Sequence, residues 1–206
     1  MLKLFYARNT AALASHIALE EAGAIYQAVL VNFAQSEQCS EKYLSINPKG
    51  RVPTLVTEQG ILTETPAILA YIAQTYPQAN LAPVQNPFAF ALLQAFNAYL
   101  CATVHVAHAH GSRGYRWAEE EASFTDMKRK VPQTMSECMR MIETQMLEGP
   151  WVFGAEYTIC DPYLYTVSRW LPRDGVDISH FPKLVIHAAL MEARPAVQKV
   201  LSDEGI

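Results

Sequence analysis

The hydrophobic pattern of this chain changes character near residue 77. Before that point, short apolar runs of strand type alternate with helical periods. LKLFY (2–6) predicts a strand. Residues 10–22 predict a helix, with Leu13, Ile17 and Ala18 on one side and Gly23 at its end. YQAVLVN (26–32) predicts a second strand, and residues 33–47 are polar and irregular with a short helix at 41–46. VPTLVTEQGILT predicts two strands round a glycine-containing turn at 58–60. TPAILAYIAQTY (65–76) predicts a helix with Thr65 as N-cap and Pro66 at the first helical position. The order is β-α-β-(α)-β-β-α.

PQANLAPVQNP (77–87) carries three prolines and little periodicity. Everything after it is helical in period: 88–111, 119–147 with an irregularity at Pro132, 159–171, 182–193 and a short run at 195–203. In TICD (158–161), Thr158 can accept from an amide one turn on while Asp161 reaches back, a capping-box variant. Strands followed by helices predict two domains, α/β then all-α. The expected boundaries are 1–77 and 88–206, with 78–87 as linker.

Composition narrows the function classes. The 206 residues are 50% hydrophobic and 17% charged, which predicts a packed globule. A net charge of -4 with no basic block argues against a nucleic-acid partner. Cys39, Cys101, Cys138 and Cys160 are scattered, with no CxxC pair, and read as reduced thiols of a cytoplasmic protein. The N-terminus lacks signal-peptide features, and no stretch approaches the roughly 20 apolar residues that span a bilayer, so no membrane role is expected.

The strand at RVPTL (51–55) holds a proline that cannot donate to a ladder. A cis bond before Pro53 would turn the chain and leave the N–H and C=O of Val52 free to pair with an extended peptide. Shortly after, ETPAIL opens a helix whose free N–H groups and positive dipole end attract a carboxylate. The pair suits a small acidic peptide. Taken locally, the same residues also fit an edge-strand proline and an ordinary helix cap.

The combination is more specific. NPKGRVPTL, a hairpin, ETPAIL, a proline-bearing linker and a helical half with YTICDPYLYTVSRW closely resemble the cytosolic glutathione transferase family, over essentially the whole chain. The resemblance implies a thioredoxin-like N-terminal domain and an all-helical C-terminal domain. It also implies glutathione as co-substrate, an apolar second site for an electrophile, and a homodimer. Residue by residue, it implies that Val52 bonds the cysteinyl backbone beside cis Pro53, and that Glu64 and Thr65 hold the γ-glutamyl end. Lys49 or Arg51 would reach the glycyl carboxylate. The TICD box would be structural.

The reaction needs a thiolate, and an ordinary thiol ionises only near pH 8.5. The resemblance places the stabilising donor in FYARNTAALASHI (5–17). Against the bacterial beta class, Tyr6 matches a strand tyrosine, but Ala11 falls where that class has cysteine. Against zeta- and theta-like members, Asn9 and Thr10 fall at the serine positions. Thr10 is also the natural cap of the helix, and Tyr6 can equally be a wall residue. Tyr6, Asn9, Thr10 or a backbone amide therefore all stand as donors.

HVAHAHGSRGYRW (105–117) brings three histidines. His105 and His108 share a helix face, but His110 lies about 140° round from His105, so no metal site is expected. The beta-class comparison implies that His105 points toward the glutathione sulfur, with His108 as the other candidate on that face. Cys101, one turn before His105, reads as a core thiol. Arg113, Arg116 and Trp117 would line the cleft mouth or cap the helix, and Trp170 matches a beta-class tryptophan near the site, with plain packing as an equal reading. The leading function is thiolate attack on an apolar electrophile, a detoxifying transferase. The alternatives are glutathione-dependent peroxide or disulfide reduction, and a non-catalytic glutathione or ligand binder, which Ala11 keeps open.

Overall fold

The computed structural model describes residues 1–206. The chain forms two compact units, one of residues 1–91 with 192–206, the other of residues 92–191. The division thus falls inside a helix instead of in 78–87, and the last fifteen residues join the first unit.

In the first unit, β1 (Leu2–Tyr6), β2 (Tyr26–Leu30), β3 (Thr54–Thr57) and β4 (Gly60–Thr63) form one sheet in the order β2-β1-β3-β4. β1 and β2 are parallel, with Tyr6 opposite Leu30. β3 runs antiparallel to both β1 and β4, with Thr54 opposite Phe5 on one side and Thr63 on the other. Parallel strands need a crossover connection, and α1 (Ala12–Glu21) supplies it, buried from Ala12 through Leu19. α3 (Thr65–Thr75) adds buried Ile68, Leu69 and Ile72. Leu4 and Leu55 of the central strands are fully buried, so the core lies on the axis of the sheet. With the short α2 (Glu41–Leu44) between β2 and β3, this is the expected thioredoxin-like arrangement.

Two helix starts differ from the sequence reading. α1 begins at Ala12 rather than Thr10, because Asn9 takes a left-handed φ of +55° that ends the turn after β1. In α3 the cap is Glu64, at φ +73°, and Thr65 is already helical with Pro66 second. A non-glycine residue held at such a φ stores about 1–3 kcal/mol of strain.

The second unit holds most of α4 (Pro87–Tyr99), and then α5 (His105–Ala109), α6 (Glu121–Met141), α7 (Cys160–Ser168) and α8 (Pro182–Glu192). α4 and α5 are joined through a widened helical segment, Leu100–Val104. The continuous run Pro87–Ala109, 23 residues of mean hydropathy 1.4, is long and apolar enough to cross a membrane by length and composition. That corrects the reading that no such stretch exists; Gln94, Asn97, His105 and His108 interrupt its apolar letters without lowering its mean enough. α6 continues through Pro132, losing one backbone hydrogen bond there. All nine residues of α7 are buried, with Tyr163 and Tyr165 among the largest enclosed side chains. Asp161 fixes this helix by accepting from the Thr158 amide at 2.7 Å and the Val152 amide at 2.8 Å. α9 (Pro195–Glu204) packs on α1 in the first unit.

Candidate functional site

Strand register gathers the predicted glutathione-binding residues at one edge of the sheet. Phe5, Thr54 and Thr63 lie side by side in β1, β3 and β4. The segments just beyond them, 7–11, 51–53 and 64–65, therefore emerge together. This places Asn9, Thr10, Arg51, Val52, Pro53, Glu64 and Thr65 at a common rim.

The Val52–Pro53 bond is cis. Val52 precedes the ladder, which starts at Thr54, and its N–H and C=O take no partner within the chain. A buried polar knot holds the loop in place. The carbonyl of Arg51 accepts from the Tyr43 hydroxyl at 2.7 Å and from Asn47 Nδ2 at 2.8 Å, and Asn47 Nδ2 also donates to Thr54 Oγ1 at 2.9 Å. Asn47, Tyr43 and Thr54 are 1%, 3% and 0% exposed. Gly50 needs its glycine: φ is +60°, and a Cβ there would meet the Gln38 carbonyl at 3.1 Å. Sequence reasoning gave Asn47, Tyr43 and Thr54 no role. The asparagine ahead of P-x-G was the available signal.

Beyond β4, Lys49 Nζ donates to Thr63 Oγ1 at 2.7 Å and to Glu64 Oε1 at 2.5 Å. Both members of this ion pair are about half exposed, so it positions more than it stabilises. Thr65 is buried, yet its hydroxyl has no partner within the chain. Its amide and that of Ala67 lie in the first turn of α3, where helix geometry leaves N–H groups free. Arg51 is exposed and unpaired. Free backbone polar groups, a helix N-terminus, a cation and a carboxylate thus share one rim.

The three donor candidates differ in availability. Thr10 Oγ1 donates its single hydrogen to the Ala7 carbonyl at 2.7 Å and accepts from the Ala12 amide at 3.3 Å. Its hydroxyl is committed to the turn. Tyr6 is 7% exposed, with its ring 5.1 Å from that of His16 of α1. Burial, followed by the Glu204 charge, raises its pKa, so it remains a neutral phenol. Asn9 is exposed, and its side chain has no partner within the chain.

In the second unit, His105, His108 and Trp170 come together. Trp170 stacks on His108 at 4.5 Å and lies 4.9 Å from His105. His108 Nδ1 is held by both carboxylate oxygens of Asp174 at 2.8 Å. Trp117 instead packs on His110 at 4.4 Å, Arg116 sits 6.0 Å over Tyr115, and Arg113 is half-buried. No group of three or more His, Cys, Asp or Glu side chains is placed to hold a metal ion.

Comparison with known proteins identifies the family. A family model for the glutathione S-transferase N-terminal domain matches residues 1–74. The chain is 29% identical to glutathione S-transferase GstA of Escherichia coli O157:H7, each covered in full. It is 28% identical to a maleylacetoacetate isomerase of Pseudomonas aeruginosa, over 96% of this chain and 94% of the relative. Among solved structures, a glutathione transferase homologue from Sulfitobacter with bound glutathione superposes with a TM-score of 0.96. It is 46% identical, covering 100% of this chain and 98% of the other. The chain belongs to the cytosolic glutathione transferase family.

Proposed function

We propose that the protein is a glutathione transferase, in which the thiolate of bound glutathione attacks an electrophilic carbon of a small apolar substrate. The observation that carries this reading is the unpaired N–H and C=O of Val52 at the same rim as the free hydroxyl of Thr65. Val52 pairs with the cysteinyl backbone. Thr65 and the amides of α3 take the γ-glutamyl carboxylate, Glu64 the ammonium, and Arg51 or Lys49 the glycyl carboxylate. Charge-assisted hydrogen bonds of this kind are short and directional. The thiolate is stabilised by the amides that open α1 and by Asn9, since the Thr10 hydrogen is directed elsewhere. His105 and Trp170, 4.9 Å apart within the second unit, are the residues proposed for the electrophile, with His105 as an imidazole suited to donate to a leaving group.

A redox mechanism through a protein thiol at α1 has no support, because Ala11 stands at that position. Exposed Phe88 and Ile61 support a homodimer, and four free cysteines support a cytoplasmic setting; a detoxifying role follows from the proposed attack on electrophiles. The test is threefold: thermal stabilisation by glutathione, conjugation of a nitro-activated aryl halide, and reduction of an organic hydroperoxide. Stabilisation of about 2.7 kcal/mol is expected at a hundredfold excess of glutathione over Kd, together with conjugation. Stabilisation without either activity would leave a binding protein. No stabilisation at millimolar glutathione would end the proposal.

A further inference from the structure

The His108–Asp174 pair is not enclosed. It forms one wall of a cavity of about 400 Å³ within the helical unit, lined also by Gly111, Ser112, Lys128 and Arg173. His108 and Asp174 are 9% and 6% exposed. Both carboxylate oxygens engage Nδ1, which fixes the donor proton on that nitrogen and leaves Nε2 as an uncommitted hydrogen-bond acceptor. Lys128 and Arg173 are exposed and have no ion-pair partner, whereas the nearby Arg129 is paired with Asp126.

The cavity is also held open by backbone geometry. Asp174 sits in a tight turn after α7, where the Val176 amide closes on the Leu171 carbonyl at 2.9 Å and Gly175 takes a φ of +73°. A Cβ at Gly175 would lie 3.4 Å from Pro132 on the facing helix, and one at Gly111 would lie 3.2 Å from the His108 carbonyl. The last carbonyls of α5 already accept from the amides of Gly111, Ser112 and Arg113, so they do not face the cavity unpaired.

Two unpaired cations and a serine hydroxyl form a recognition set for an oxyanion, and the imidazole lone pair beside them can accept from a neighbouring hydroxyl. Arginine presents a planar fork and lysine a point charge, the combination suited to carboxylate or phosphate. We propose that this cavity is a second ligand site, binding a small molecule through a carboxylate or phosphate group held by Lys128, Arg173 and the Ser112 hydroxyl, with His108 Nε2 alongside to accept from a hydroxyl of the same molecule. The site lies wholly within the helical unit and does not depend on glutathione binding at the thioredoxin-like unit.

The experiment titrates the full-length protein separately with inorganic phosphate and with acetate in low-chloride buffer, by calorimetry and by the ring nitrogen resonances of His108. Saturable one-site binding and a shift of the Nε2 resonance are expected for at least one of the two anions, which also tells which group the site takes. The doubly substituted protein K128Q/R173Q, altered only at exposed positions, should bind at least tenfold more weakly, while K128R/R173K retains binding. Glutathione affinity should stay within twofold in both. Absence of saturable binding by either anion, equal affinity in K128Q/R173Q, or an unmoved Nε2 resonance would overturn the proposal.

Discussion

His16 Nδ1 lies 2.8 Å from Glu204 Oε1, joining α1 to the C-terminal helix across 188 residues of sequence. Both side chains are enclosed, at 1% and 0% exposure, and Glu204 Oε2 has no partner. A rim of Arg194–Glu21 and Lys199–Glu20 ion pairs surrounds them. α9 is therefore a structural part of the thioredoxin-like unit. Glu204→Ala leaves a buried imidazole facing a void, and breaking a buried pair from one side costs about 3–5 kcal/mol. Glu204→Gln keeps an acceptor for Nδ1–H and should cost much less. Chemical denaturation of the two variants checks the ordering; equal losses would mean that α9 is held by its apolar contacts alone.

The knot beneath the Val52 loop makes a separate prediction. Asn47→Ala removes both side-chain donations from Nδ2, to Arg51 and Thr54. The Arg51 carbonyl keeps its bond from the Tyr43 hydroxyl, so the cost is that of the two lost hydrogen bonds, about 1–3 kcal/mol. The loss should appear in thermal unfolding and, because Arg51 adjoins Val52, as weaker glutathione binding. Conjugation kinetics should show a raised KM for glutathione with a smaller change in kcat.

Thr65 separates binding from folding. Its hydroxyl bonds nothing in the chain, so Thr65→Val removes no internal hydrogen bond at nearly constant shape. Stability should stay within about 0.5 kcal/mol, while glutathione affinity falls by roughly tenfold, the worth of one charge-assisted bond. Thr65→Ser should bind normally. Calorimetric titration of glutathione against both variants measures this.

Much of this was legible in the sequence because it rests on local chemistry. The fixed φ of Pro53 and Pro66, the period-two runs of β3 and β4 and the T-x-x-D box each carry their meaning within a few residues. The Asn9 and Glu64 conformations were not legible, because a positive φ at a non-glycine residue is imposed by tertiary packing. They shift the starts of α1 and α3, and with them the hydrogen-bonding state of Thr10 and Thr65. The knot of Tyr43, Asn47 and Thr54 and the pairs His16–Glu204 and His108–Asp174 join residues by tertiary approach. Periodicity carries no signal for such pairs.

Thr10 offers a direct test of the thiolate environment. Its hydrogen goes to the Ala7 carbonyl, so Thr10→Val should lower stability by about 1 kcal/mol, the ordinary worth of one hydrogen bond. The ionisation of bound glutathione should be unchanged. Asn9→Gly keeps the left-handed backbone easily and removes the amide side chain, so it should raise the thiol pKa and lower conjugation at neutral pH. Thiolate absorbance of the glutathione complex against pH reads both. A rise in Thr10→Val without one in Asn9→Gly would reverse the assignment.

Alkaline stability follows from the enclosed thiols and phenols. Burial raises the pKa of Cys138 and, more strongly, of Cys160, and pushes Tyr99 up to about 12. These groups hold their protons more tightly folded than unfolded. Below the unfolded thiol value of about 8.5 both states are protonated and their contribution is complete. As pH rises past it, the unfolded chain ionises first and binds fewer protons than the native one, so stability falls with pH. The decline should begin near pH 8.5 with the cysteines and steepen near pH 10, where unfolded tyrosines ionise. Urea midpoints between pH 7 and 10.5 should trace that curve, and Cys138→Ala/Cys160→Ala should flatten its first part. The same burial predicts that exposed Cys39 reacts rapidly with iodoacetamide, while Cys138 and Cys160 are alkylated only on unfolding.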